Sequence, residues 1–502
     1  MRLAPRKTPL LYISWERCRR HDSQSKLLTV ANTEQEQQSV CQGELMSKTF
    51  DAIIIGAGQA GPSLAARLTG AGMTVALIER HLFGGTCVNT GCTPTKTLVA
   101  SAEVAYQARR AADFGIRMQG AVCVDMPSVK RRKDAIVAES RNGVESWLRG
   151  MDRCTVFTGH ARLQSSHQVR VGDQTINAPR IFLNVGGRAL LPDLHGVHDV
   201  PCLTNTTLLE LETLPRHLII VGGSYIGLEF AQMFRRFGSE VTVIEKGPRL
   251  IWREDTDVSA AIETIFAAEG ITVRTAAECI HFEKRGAEIM AGVSCIEGSP
   301  EVAGSHVLLA VGRRPNTDDL GLESAGVEVN DRGYIVVDDQ LQTNVPGIWA
   351  LGDCNGKGAF THTAYNDFEI VAANLLDDAH RKVSDRITCY GLFIDPPLGR
   401  AGMTEAEARS SGHRVRIGKR PMTRVMRAVE KGQPQGFMKV VVDADSQKIL
   451  GAAILGVGGD EAVHCILDTM SAQAPYSTLK ETVHIHPTVA ELIPTILGEL
   501  QP

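Results

Sequence analysis

The sequence predicts an α/β fold: two Rossmann-like dinucleotide-binding domains, then a smaller C-terminal α+β module. Three observations predict it. A short apolar strand runs into a glycine-rich turn and a helix at Asp51, in "DAIIIGAGQAG". The same arrangement returns at His217, in "HLIIVGGSYIGLEF". Beyond about residue 385 the pattern gives way to the strand-like runs "GFMKVVVDA" and "KILGAAILG" and the helical "DEAVHCILDTMSA". A length of 502 residues leaves room for about three domains. An apolar share of 43% is enough for several cores.

The first unit is read from strand, turn, helix and second strand together. Gly56, Gly58 and Gly61 form G-x-G-x-x-G, "PSLAARLTGAG" continues as a helix, and "TVALIE" ends at Glu79. Such glycines let the backbone approach a pyrophosphate, whose charge sits at a helix N-terminus. An acid about twenty residues on accepts hydrogen bonds from a ribose. The second unit has Gly222, Ser224 and Gly227, with "EVTVIE" ending at Glu245. Serine replaces the middle glycine, where phosphate approaches closest. Glu245 favours a free ribose 2′-hydroxyl over a 2′-phosphate, hence NADH over NADPH; Lys246 and Arg249 just beyond soften that preference. Two nucleotide sites point to two redox cofactors, a nicotinamide hydride donor and a flavin. The strand in "GIWALGDCNG" ends at Gly352-Asp353, and an acid there can bind a ribityl chain.

Composition excludes other classes. A formal charge of −4 gives no basic field for nucleic acid or anionic lipid. The basic cluster Arg131 to Lys133 reads as a solvated helix face. No apolar run approaches a membrane span, and "LLYISW" is too short for a signal-peptide core. A cytoplasmic protein is expected. Twelve cysteines are too sparse for a disulfide scaffold, so most are expected as free thiols. Residues 1–48 fit no core pattern. Their basic start resembles a transit peptide, but Glu16 and Asp22 interrupt it; a disordered tail, or a start at Met46, is the preferred reading.

Cys87 and Cys92 follow Glu79 in "GGTCVNTGCTPTK". Their spacing is long for a zinc knuckle and no second ligand pair follows, so no metal site is expected. "TPTKTLVASAEVAYQARRAA" continues as a helix, which places the pair near its first turn, where the helix dipole favours a thiolate. Two readings remain: a redox pair, or two buried free cysteines.

The segment resembles the active-site segment of the class I pyridine nucleotide–disulfide oxidoreductases, which include dihydrolipoamide dehydrogenase, glutathione reductase and mercuric reductase. "VGRRPNT", "LGD" and "HPT" extend the resemblance over about residues 49–502. It implies FAD and NADH (or NADPH) as cofactors. Cys87 then corresponds to the interchange thiol and Cys92 to the thiol that contacts the flavin. Lys96 and Glu229 match an ion pair beside the flavin, and Tyr225 the residue that gates the nicotinamide pocket. "NVGG" at Asn184 departs from the family's usual A-T-G. His486-Pro487-Thr488 with Glu491 matches an acid–base dyad that reaches the cysteines of the other subunit, which implies a homodimer. Imidazole titrates near neutrality, so His486 can carry a proton that Glu491 orients; a helix with two incidental histidines is the plainer reading, and His484 is taken as structural. The implied domains are FAD-binding at 49–196 and 320–384, NAD(P)-binding at 197–319, and dimerisation at 385–502.

The chain ends "ILGELQP", without the terminal cysteine pair of mercuric reductases. "DPPLGRAGMTEAEA" nevertheless resembles the mercuric-reductase-like branch that includes the reactive-chlorine-resistance flavoprotein. The expected function is FAD-dependent transfer from NAD(P)H through Cys87–Cys92 to a small-molecule disulfide or thiol-reactive metal ion. The alternatives are dihydrolipoamide dehydrogenase, an NADH oxidase or diaphorase, and a non-catalytic redox-sensing flavoprotein.

Overall fold

The first sheet is five-stranded and wholly parallel, in the order Ile348–Ala350, Ile181–Leu183, Ala52–Ile55, Val75–Glu79, Cys154–Thr158. Parallel sheets are covered on both faces, which is why their strands read as unbroken apolar runs. Every residue of Ala52–Ile55 and Val75–Glu79 is buried. The helix Ala60–Gly70 connects these two strands. This computed structural model describes residues 48–294 and 299–502. The extension expected at residues 1–48, and the question of a start at Met46, thus lie outside the described residues except for Lys48.

The second sheet repeats the design, with order Cys202–Leu203, His306–Leu309, His217–Val221, Glu240–Ile244, Thr272–Arg274, again all parallel. Its first helix, Tyr225–Phe237, is buried on nearly every side, Glu229, Gln232 and Arg236 included. Charges survive burial only when paired. Arg236 meets Glu269 and Asp395, both at 2.7 Å, and Gln232 donates to the Asp395 carbonyl at 2.8 Å.

The third sheet is antiparallel, in the order Cys389–Leu392, Leu398–Gly402, Ile449–Leu455, Phe437–Asp443, Val415–Pro421. Both strands and the helix expected there are present, the helix as Gly459–Ser471. One apolar core contains Leu98 and Ala102 of the cysteine-bearing helix, Phe230 and Phe234 of the second unit, and Leu398 and Leu455 of the third sheet. That shared core brings the cysteines and the second turn together.

One expectation is corrected. The cluster Arg131 to Lys133 lies on the helix Met126–Arg149, but only Arg131 and Arg132 are exposed. Lys133 is 3% exposed and donates to the Leu209 carbonyl at 2.8 Å. It ties this helix to the second unit rather than solvating it. Among the described residues no helix is long and apolar enough to cross a membrane.

Candidate active site

The first turn is closed against the chain behind it. Gly56 has φ +108°, and a Cβ there would lie 2.2 Å from the Asn184 carbonyl oxygen. A Cβ on Gly61 would lie 2.2 Å from the Gly56 oxygen. Only hydrogen atoms fit at these points. Asn184, the departure from the family pattern, is buried and donates its side-chain amide to the Gly56 carbonyl at 3.2 Å. Glu79 accepts from the Ala57 amide at 2.9 Å and the His81 amide at 2.8 Å, so it braces the turn. Gly58 lies under the cysteine segment: a Cβ on Gly85 would come within 2.7 Å of the Gly58 Cα. Asp353 follows the strand Ile348–Ala350; burial raises its pKa, and Arg313, 3.7 Å away, opposes that. A backbone-lined turn, a helix N-terminus and an acid at a neighbouring strand end fit the diphosphate and ribityl parts of FAD.

The second turn uses the same geometry. Gly222 has φ +114°, and a Cβ there would meet the Ala310 oxygen at 2.4 Å. Glu245 accepts from the Gly223 and Gly247 amides, each at 2.6 Å. Ser224, at the helix N-cap, is exposed. Arg249 spends its guanidinium on the carbonyls of Trp252 at 2.9 Å and Glu254 at 3.3 Å, while Lys246 is exposed. Of the two cations just beyond Glu245, Lys246 is the one left exposed toward a 2′-phosphate.

Cys87 sits in the short helix Gly85–Asn89, and Cys92 opens the helix Cys92–Arg109. In the reduced form the two thiols are polarised against each other. A hydrogen bond from Cys87 pulls the Cys92 thiol down to about 6, helped by the Thr361 hydroxyl and the Lys96 charge and opposed by burial and Glu229. The same hydrogen bond, burial and the Cys92 charge push the Cys87 thiol far up. Cys92 Sγ lies 3.4 Å from Thr361 Oγ1. Lys96 Nζ meets Glu229 at 2.7 Å, joining the cysteine-bearing helix to the helix that follows the second turn. Glu229 also accepts from the Phe393 amide at 3.1 Å, and the Phe393 ring lies 4.5 Å below Lys96 Nζ.

His486 and Glu491 are together: Nδ1 lies 2.9 Å from the carboxylate. Glu491 is 16% exposed, whereas the imidazole is 75% exposed. With Nδ1 held by the carboxylate, Nε2 is left as the working nitrogen. Within the chain, the groups that bear most on Cys92 are Cys87, Thr361, Lys96 and Glu229. Val483 and Ile485 beside it are 96% and 80% exposed. Among the described residues His484 bonds only to its local Thr482 carbonyl, at 3.1 Å. Tyr225 has its ring edge-on to Phe360 and Tyr390, with centroids 5.6 and 5.3 Å away. Thr361, Phe393, Phe360 and Tyr390 are neighbours that sequence reasoning missed. Among the described residues no cluster of three or more His, Cys, Asp or Glu could hold a metal ion.

Two family models match the chain. Residues 50–367 match "Pyridine nucleotide-disulphide oxidoreductase", and residues 389–496 match its dimerisation domain. The probable pyridine nucleotide-disulfide oxidoreductase RclA of Escherichia coli K12 is 37% identical over 457 residues, covering 88% of this chain and 97% of that protein. A dihydrolipoyl dehydrogenase of Chlamydia muridarum is 34% identical, covering 89% and 96%. A solved structure described as the Cu(II) complex of the HOCl-induced flavoprotein disulfide reductase RclA from Escherichia coli superposes with a TM-score of 0.82. It is 35% identical and covers 90% of this chain and 99% of that one.

Proposed function

Because the chain belongs to the pyridine nucleotide–disulfide oxidoreductase family, whose members are FAD-dependent with NAD(P)H as electron donor, we propose that it passes electrons through Cys87–Cys92 to a disulfide or thiol-reactive metal ion. Gly56, Gly58, Gly61, Glu79 and Asp353 would hold FAD; Gly222, Ser224, Tyr225, Gly227 and Glu245 would hold the nicotinamide cofactor, with NADH preferred. Bound FAD supplies two-electron transfer between nicotinamide and sulfur. The cysteine pair, set at a helix N-terminus beside Thr361 and the Lys96–Glu229 pair and polarised toward Cys92, is the observation that carries the reading.

The chain's own chemistry follows from that polarity. Once the disulfide has taken two electrons and one proton, its S–S bond is broken and the charge rests on Cys92. Cys87 then keeps its proton and cannot act unaided as a nucleophile, since the thiolate is the reactive form. A base is needed, and His486 of the partner subunit, oriented by Glu491, takes that role. Cys87 attacks one sulfur of the acceptor disulfide, the acceptor S–S bond breaks, and the leaving thiolate takes the proton back from His486. The Cys92 thiolate then attacks Cys87, restores the internal disulfide and expels the second thiolate, which takes its proton from solvent. The balance is NAD(P)H + H⁺ + RSSR → NAD(P)⁺ + 2 RSH. Two Cu(II) ions can take the same two electrons, and similarity to a Cu(II)-bound relative supports testing them.

We place the boundaries at 49–196 and 320–384 for FAD, 197–319 for NAD(P) and 385–502 for dimerisation, and propose a cytoplasmic homodimer. The exposed Val483, Ile485 and His486 support that assembly. The His486–Glu491 pair also favours a second reading, dihydrolipoamide dehydrogenase, which dihydrolipoamide-dependent reduction of NAD⁺ tests directly. For the main reading, the anaerobic protein is treated with one equivalent of NADH per subunit, alkylated and mapped. Alkylation of Cys87 and Cys92 only after NADH is expected. Unchanged labelling, or full turnover in Cys87→Ser, overturns it.

A further inference from the structure

The buried surroundings of Tyr225 contain an anchor that the electron path does not use. Tyr390, on the strand Cys389–Leu392 of the third sheet, presents its ring edge to Tyr225. Its hydroxyl donates to Glu254. Glu254 is fully buried and paired with Arg400, which is 2% exposed; Arg400 Nε donates to the same carboxylate oxygen at 3.1 Å. Phe360 completes the enclosure, stacking on Tyr390 at 5.8 Å and edge-on to Tyr225 at 5.6 Å. Phe360 is also the N-cap of the helix whose first residue, Thr361, meets Cys92.

These contacts differ in stiffness. A fully buried ion pair has no water to exchange with, so it stays in one arrangement. Asp255, next in sequence, is fixed as well: it accepts from the Glu405 amide at 3.0 Å and from Lys439 at 3.1 Å. Glu254 is thus held on both sides, and Tyr390 inherits that fixed position through its hydroxyl. Tyr225 has no ionic tether of its own; burial, ring packing and a hydrogen bond with the Tyr390 hydroxyl hold it. An aromatic side chain that must swing aside for a ligand therefore does so against a fixed wall.

We infer that Tyr390, anchored on the Glu254–Arg400 pair, is a positioning residue that holds Tyr225 in its closed orientation and so sets how readily the nicotinamide is admitted. The inference rests on the proposed gating role of Tyr225. Loosening the wall raises the population of open gate, and apparent affinity rises in proportion.

Tyr390→Phe in the FAD-loaded protein tests this. It deletes one oxygen, keeps the ring and leaves Glu254 paired with Arg400. NAD⁺ affinity by calorimetry is expected to tighten about threefold, and KM for NADH to fall by about the same factor. KM for the acceptor and the alkylation of Cys87 and Cys92 should not change. A merely structural role would lower the melting temperature and leave the NADH and acceptor KM values in their original ratio. In a Tyr225→Ala background Tyr390→Phe should have no further effect. If Tyr225→Ala changes NAD⁺ affinity but Tyr390→Phe does not, the anchor is wrong and the gate stands. If Tyr225→Ala itself changes nothing, the gate reading fails and takes the anchor with it.

Discussion

The two glycine-rich turns have the same backbone and different surroundings. At each, a first glycine with φ above +100° touches a carbonyl of the neighbouring strand's end, and a carboxylate accepts two loop amides. The first turn is then roofed by its own chain, with Gly85 of the cysteine segment pressed on Gly58. The second is left open at Ser224, next to the rings around Tyr225. A covered turn suits a cofactor that stays, and an open one suits a cofactor that comes and goes each cycle. Lys96–Glu229 bridges the cysteine-bearing helix and the helix of the second turn.

The largest expected effect sharpens what the roof is for. Cys87→Ser and Cys92→Ser should each lower acceptor-linked turnover by about a thousandfold or more, because groups acting as one unit fail together. FAD content should remain at wild-type level, since neither sulfur lines the turn. Loss of bound FAD in Cys92→Ser would show that the thiol has a structural part in the roof.

The next test can break the comparison. Gly56→Ala and Gly222→Ala place the same methyl group in the same geometry, 2.2 and 2.4 Å from a carbonyl oxygen. Each forces a strained backbone and a clash, about 3 kcal/mol or more where the neighbour cannot move. Gly56→Ala should yield protein without FAD. Gly222→Ala should keep FAD and lose reduction by NADH. If both variants lose FAD equally, the two turns are not functionally distinct, and the covered-versus-open contrast has no consequence.

A smaller effect tests the bridge. The thiolate absorbance of the dithiol protein should titrate near pH 6, the value to which Cys87, Thr361 and Lys96 bring Cys92. The thiolate is the deprotonated form, so absorbance falls as the pH drops through that point. Lys96→Met removes a stabilising charge and should move the midpoint upward. A neighbouring cation's contribution corresponds to about a tenfold lower thiolate-to-thiol ratio near neutrality. Glu229→Gln removes an opposing charge and should move it downward. Equal midpoints in all three proteins would mean that the bridge does not reach Cys92.

How much of this the sequence carries follows from distance along the chain. The strands, both turns, Glu79, Glu245 and C-x4-C are local patterns, in which spacing alone fixes geometry. The neighbours that tune them are not. Thr361 reaches Cys92 across 269 positions, and Tyr390 reaches Glu254 across 136. A threonine and a tyrosine in ordinary helix and strand contexts give no local signal. Lys133 was misread for the same reason, since its carbonyl partner lies 76 positions away and "RRK" alone looks like solvated surface. His486 and Glu491 were legible because they are five residues apart and need no other element to meet.

Ser224 gives the smallest expected effect and the finest resolution of the contrast. In the first turn the matching residue is Gly58, and a Cβ there would meet the Asn184 side chain at 3.3 Å under the cysteine roof. In the second turn the serine is exposed at the helix N-cap, so nothing in the chain demands glycine. On the proposed reading its hydroxyl would instead meet a phosphate oxygen at the helix N-terminus. Ser224→Gly should therefore leave stability within about 0.5 kcal/mol and raise KM for NADH by no more than about twofold, the worth of one modest hydrogen bond. Gly58→Ser, the reciprocal change, should reduce FAD retention after dialysis, because its side chain has only the Asn184 amide and the roof to push against. Equal tolerance at both positions would mean that the roof is loose enough to rearrange, and that the difference between the turns lies in the ligands rather than in the protein.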